Sequence, residues 1–131
     1  MGASIIDTNL LIRFFTGDDL KKAEAVKDLL SGLSGKVFIP DVVFAECIWV
    51  MQSVYNLDKS TISEKLTPII ESPGVLTGKE VMSLALMIWV KENIDYIDAY
   101  ILAIASEIGA DKLYTYDKKL AKSAEIEVSE P

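Results

Sequence analysis

Short apolar runs alternate with helical stripes along this chain. Ser4 to Ile6 predicts a strand that stops at Asp7, and Leu10, Leu11, Ile12 and Phe14 then fall at the spacing of a helix. Gly17-Asp18-Asp19 marks a turn and cap, after which Leu20, Ala23, Val26, Leu29 and Leu30 keep helical spacing as far as Ser31 to Gly35. Val37-Phe38-Ile39, closed by Pro40, predicts a second strand, and Asp41 is placed to cap a helix from Val42 to about Tyr55 that is apolar almost all round. Leu57-Asp58-Lys59-Ser60 reads as a loop and cap, and Ile62, Leu66, Ile69 and Ile70 predict a further helix, stopped by Ser72-Pro73-Gly74. Val75 to Thr77 reads as a third strand, Lys79 to Asn93 as a helix, and Ile97 to Ile108 as another with Gly109 as its C-cap. Lys112 to Tyr116 is a strand, Lys118 to Ala121 a helical turn and Ile126 to Val128 an edge strand. This alternation predicts an α/β fold, a three-layer α/β/α sandwich on a mostly parallel central sheet. Strand order does not follow from the pattern, because two helices separate the second strand from the third.

The 131 residues fit one domain, 1–131, with one core. No apolar run approaches the ~18 residues of a membrane span, and no basic start leads into a signal segment, so a cytoplasmic protein without a membrane partner is expected. Cys47, inside an apolar helix pattern, reads as a small buried hydrophobe. The absence of histidine removes the Ser-His-Asp triad, the histidine-paired cysteine and the imidazole zinc site together. Any catalyst here uses carboxylates, hydroxyls, lysines or a metal. With 20 acidic against 13 basic residues the chain carries −7, which weighs against a nonspecific nucleic-acid coat but leaves open an enzyme whose carboxylates hold divalent ions.

The acids are therefore the chemistry to follow. Asp7 ends the first predicted strand, at the sheet edge where open α/β folds bind ligands, and either Asp7 or Thr8 can cap the helix that follows. Glu46 is the charged residue within an otherwise apolar helix. Burying it unpaired would cost several kcal/mol, so either a cation or the helix N-terminus compensates it, or it points out through a gap in the apolar surface. Asp95 is placed as N-cap of the helix near Ile97, satisfied by amide hydrogen bonds, whereas Asp98 lies one turn in, on the stripe with Leu102 and Ala105. Small Ala99, Ala103 and Ala105 would let that helix approach its neighbours and bring Asp98 near Asp7. Asp117 repeats the Asp7 arrangement of strand, carboxylate and helical turn. Such acids raise one another's pKa unless a divalent ion neutralises them, and hard oxygen ligands select Mg2+ or Mn2+.

In these residues the chain resembles the PIN-domain nucleases, and among them the small VapC-type toxins of toxin-antitoxin pairs. Ile5-Ile6-Asp7-Thr8-Asn9-Leu10-Leu11 is similar to the family's opening strand and first acid, Val43-Phe44-Ala45-Glu46 to its second, Tyr96-Ile97-Asp98-Ala99-Tyr100 to its third, and Leu113-Tyr114-Thr115-Tyr116-Asp117 to the threonine-x-aspartate that closes the site. The resemblance implies that Asp7, Glu46, Asp98 and Asp117 bind metal and act in catalysis, with Thr115 a supporting hydroxyl; Asp95 has no firm counterpart. It implies a Mg2+- or Mn2+-dependent endoribonuclease, the toxin of a type II module, in which water activated by a divalent ion attacks an RNA phosphodiester to leave a 5′-phosphate and a 3′-hydroxyl. Arg13, Lys118, Lys119 and Lys122 are the positive groups nearest that rim, or equally ordinary solvated charges. A homodimer and a small antitoxin protein are expected as partners, from the family and from Trp49, Met51, Met87 and Trp89 on helices that a small domain buries only in part.

Four other readings compete. A haloacid-dehalogenase-like phosphotransferase needs a second acid two positions after the first, where this chain has Asn9. A response-regulator receiver has no use for Glu46, and no Gly-x-x-x-x-Gly-Lys run supports a P-loop. A catalytically silent PIN-like module that only binds a protein is the alternative from another class, and four retained acids weigh against it.

Overall fold

The computed structural model describes residues 2–131. The chain folds as two compact units, Met1–Lys79 and Glu80–Pro131. All strand pairs among the described residues are parallel.

The first unit runs β1 (Ser4–Ile5), α1 (Thr8–Thr16), α2 (Leu20–Leu30), β2 (Val37–Phe38), α3 (Asp41–Ser53), α4 (Lys59–Glu71) and β3 (Val75–Leu76). Its sheet has the order β1-β2-β3, with Ser4, Val37 and Val75 in one row and Ile5, Phe38 and Leu76 in the next. Because side chains alternate across a strand, the two rows face opposite ways. Val37 and Val75 are fully buried, while Ile5, Phe38 and Leu76 are exposed. Aspartates start three of these helices as the pattern requires, Asp7, Asp19 and Asp58 each accepting a backbone N–H three residues on.

Asp41 is a correction. Pro40 is the N-cap of α3, and Asp41 is its first helical residue. Extended Pro40 delivers its carbonyl to the amides of Val43 and Phe44, so the helix begins one residue earlier than an aspartate cap would allow, and the carboxylate of Asp41 lies in the positive first turn.

The exits of α2 and α4 cross at two glycines. A Cβ on Gly74 would stand 2.6 Å from the Leu30 carbonyl oxygen and 2.7 Å from the Gly32 nitrogen, a separation that backbone atoms cannot yield. Lys79 ties the same corner together, its Nζ donating to the carbonyls of Ile70 at 2.7 Å and Ser72 at 2.8 Å. Burial lowers its pKa, with the Lys36 charge adding to the effect and Glu71 opposing it.

The second unit contains nearly all of α5 (Lys79–Lys91), then α6 (Tyr96–Glu107), β4 (Lys112–Tyr114), α7 (Lys118–Ser123) and β5 (Glu127–Ser129). Helices α5 and α6 supply its core through Met82, Ala85, Leu86 and Trp89 on one and Tyr96, Ala99, Leu102 and Ala103 on the other. Trp89 and Tyr96 meet edge to face at 5.8 Å, and the Tyr96 hydroxyl donates to Met82 Sδ at 3.5 Å. Gly109, at φ 65°, turns the chain out of α6 in the left-handed conformation expected of it. Strands β4 and β5 pair in parallel with Lys112 opposite Glu127, an ion pair at 3.6 Å on the surface.

Four aromatic or sulfur side chains were expected to be surplus to the core, and they divide evenly. Trp49 and Met87 are exposed, at 63% and 61%, whereas Met51 and Trp89 are buried. Trp49 and Met51 on α3, and Met87 and Trp89 on α5, stand at i and i+2, about 200° apart around the axis, so packing one turns the other out. Cys47 is buried as expected, and burial, followed by the nearby Glu46 charge, pushes its thiol up to about 12.

Candidate active site

Asp7 follows β1 and Asp117 follows β4, and the two do the same local work. Asp7 is the N-cap of α1, its Oδ1 accepting the Leu10 N–H at 3.1 Å. Asp117 is the N-cap of α7, its Oδ1 accepting the N–H groups of Lys119 at 2.9 Å and Leu120 at 3.1 Å. One oxygen of each carboxylate thus holds a helix start, and Oδ2 takes no part in the cap. Thr115 fixes the approach to Asp117, its Oγ1 accepting the Asp117 N–H at 2.9 Å. The hydroxyl expected beside the site therefore acts through the backbone of the acid itself.

Asp98 lies in the first turn of α6 and is half-buried. Burial raises its pKa most, and the charges of Asp117 and then Asp95 raise it further. Within the second unit, Asp98 therefore feels the charges of two other acids. Lys118 and Lys119 are exposed at the start of α7 and Lys122 is in its last turn.

Asp95 holds the N-cap position of α6 with extended backbone, but its side chain makes no capping hydrogen bond. The expectation that amide bonds satisfy it is thereby corrected. The Asp95 carbonyl accepts the Ala99 N–H, so the backbone closes the first turn by itself and the exposed carboxylate is left uncommitted beside Asp98.

Glu46 follows the outward-pointing alternative. It is exposed, on a stripe of α3 where Val42 precedes it and Trp49 follows it, 74% and 63% exposed respectively. Positions 42, 46 and 49 recur one helical turn apart, opposite the face of Phe44, Cys47, Ile48 and Met51 that enters the core. Water solvates its charge, so burial does not compel a cation there. Asp7 and Glu46 belong to the first unit, and Asp95, Asp98 and Asp117 to the second.

A family model for the PIN domain matches residues 4–126. The chain belongs to the PIN domain family. That match gives it the α/β PIN-like fold expected from the alternating pattern, and PIN domains are generally nucleases that use divalent metal ions. No curated protein matches the chain.

Among the described residues no group of three or more acidic or thiol side chains is drawn up to hold an ion. This is compatible with Mg2+, which usually takes one or two carboxylates and completes its shell with waters and substrate phosphates. The donor chemistry of the second unit fits such an ion, because Asp98 is partly desolvated beside two like charges and a divalent cation would relieve both penalties. No helix among the described residues is long and apolar enough to cross a membrane.

Three further residues gain interest only from the packing. Thr77 Oγ1 is buried without a hydrogen-bond partner at the carboxyl end of β3, the sheet edge at which Asp7 ends β1. A strand pattern over Val75 to Thr77 contained no sign of it. Asn9 and Lys22 line a groove between α1 and α2 together with Arg13; helical spacing was legible for each helix alone, but not which faces would meet.

Proposed function

We propose that this PIN-domain protein is a metal-dependent endoribonuclease, the toxin of a type II toxin-antitoxin module, acting as a single domain over 1–131. The family match runs across both units, which supports that domain reading. The observation that carries the catalytic proposal is Asp98, half-buried and acted on by the charges of Asp117 and Asp95. A fold that spends stability on mutually repelling acids gains it back when a cation arrives.

In this reading Asp7, Glu46, Asp98 and Asp117 hold Mg2+ or Mn2+, with Asp95, freed from capping, able to accept a water ligand. When bound, the ion would supply the activated water and stabilise the charge that builds on the phosphate. The chain's own residues do the positioning. Asp7 and Asp117 are locked by their caps, so each offers Oδ2 from a fixed backbone, and Thr115 restrains the turn that carries Asp117. Arg13, Lys118 and Lys119 would attract RNA phosphates locally against a net charge of −7.

The exposed Val42-Glu46-Trp49 stripe favours a protein partner, because apolar side chains around a solvated acid suit a surface that is covered part of the time. A small antitoxin covering Glu46 would silence the enzyme, and a homodimer would use other exposed apolar residues such as Met87. These partners, and a cytoplasmic setting, belong to the toxin reading.

The test is cleavage of single-stranded RNAs by the purified protein, with Mg2+, with Mn2+ and after exhaustive chelation. Cleavage only with metal supports the proposal. Cleavage that survives chelation removes the metal mechanism, and metal binding without cleavage leaves the silent binding module.

A further inference from the structure

A groove of about 360 Å3 lies between α1 and α2 in the first unit. Its floor is apolar, made by Leu10 from α1 and by Ala25, Val26 and Leu29 from α2. Asn9, Arg13 and Lys22 form its polar rim, and no acidic residue lines it. In a chain with 20 acids against 13 basic residues that is a local reversal of charge. Among the described residues neither Arg13 nor Lys22 is in an ion pair, and both are exposed. Two cations converging on an apolar slot suit a ligand with a flat apolar face and a negative edge.

The position of the groove narrows the choice. Asn9 and Arg13 are one turn apart on the same face of α1, the helix that Asp7 caps. From Asp7 to Arg13 the helix rises about 9 Å, the span of about two to three stacked nucleotides at about 3.4 Å each. The groove is at the small end of single-ligand pockets, short for a docked helix about 10 Å across. The Asn9 amide offers both donor and acceptor to a base edge.

We propose that the α1–α2 groove is a subsite for single-stranded RNA, seating one nucleobase on Leu10, Val26 and Leu29 and the neighbouring phosphates on Arg13 and Lys22, two to three nucleotides from the bond that is cut. This rests on the ribonuclease reading and assigns that enzyme a binding site outside its acids. A base set against aliphatic side chains beside backbone-tracking cations gives binding with little sequence demand.

The test compares the wild type with Arg13→Gln, Lys22→Gln and the double variant. Anisotropy of a fluorescent single-stranded oligoribonucleotide in chelator, across a salt series, reads binding without turnover. Each substitution is expected to reduce the slope of log K against log salt by about 0.7, and with Mg2+ to raise KM while kcat holds. An oligoribonucleotide carrying 4-thiouridine should cross-link to the segment Leu20–Leu30. Both side chains are exposed, so melting curves should match the wild type. Unchanged slopes with cross-links elsewhere overturn the subsite even if the protein cleaves RNA. Loss of an acidic peptide's binding with RNA binding intact overturns it in favour of a protein groove. A wild type that neither binds nor cuts RNA overturns the ribonuclease reading together with it.

Discussion

Asp117 has two roles that substitution can separate, because its Oδ1 holds the start of α7 while its charge presses on Asp98. Asparagine keeps an acceptor oxygen and is about as good an N-cap as aspartate, whereas alanine leaves the amides of Lys119 and Leu120 without their partner. A lost cap costs about 0.5–2 kcal/mol. Unfolding entropy of about 2.1 cal/mol/K per residue over 131 residues converts this to a fall in Tm of about 2–7 °C. Asp117→Ala should therefore melt lower by that amount in chelator. Asp117→Asn should melt at or above the wild type, since a like charge has left the neighbourhood of Asp98. Both variants should lose RNA cleavage by more than about 100-fold, a larger loss than outer-shell partners of a metal typically cause. The assay is calorimetry in chelator alongside metal-dependent cleavage at equal folded concentration. Wild-type cleavage by Asp117→Asn would reduce this residue to a helix cap, and an Asn variant as unstable as the Ala variant would refute the capping geometry.

Asp98→Asn should stabilise the metal-free protein with a defined pH dependence. A carboxyl whose folded pKa is raised favours its protonated form, so its contribution is present below the ordinary aspartate value and is lost as pH rises through the folded value. The gain of the variant should therefore grow across that rise and vanish in acid, and a pH-independent difference in Tm would contradict it. Gly74→Ala should destabilise by more than about 1 kcal/mol, since three backbone atoms lie within 2.7 Å of the new Cβ, while Gly109→Ala meets open space and bears only its φ of 65°; equal losses in denaturant melts would deny the backbone crossing. Cys47, buried and pushed up to about 12, should resist thiol reagents at pH 8 until the protein unfolds, and rapid labelling of the native state would show that α3 opens locally.

The sequence by itself determined the elements and most of their ends. Caps at Asp7, Asp19, Asp58 and Asp117 and the exit at Gly109 depend on bonds that close within one turn, so neighbours along the chain are enough to decide them. The family and its candidate acids were legible for a related reason, since each acid sits in a short local motif at a strand end or helix start. Tertiary structure decided the rest. Helix α3 is apolar on every side, so nothing in its own residues says which face is buried; packing chose Phe44, Cys47, Ile48 and Met51, and sent Glu46 out with Val42 and Trp49. Asp95 sits where a cap belongs, yet only the placed backbone shows its carboxylate uncommitted and close enough for its charge to act on Asp98. The β1-β2-β3 order and the groove that joins Arg13 to Lys22 arise the same way, from surfaces far apart in sequence whose fit is a property of the whole fold and of no single segment.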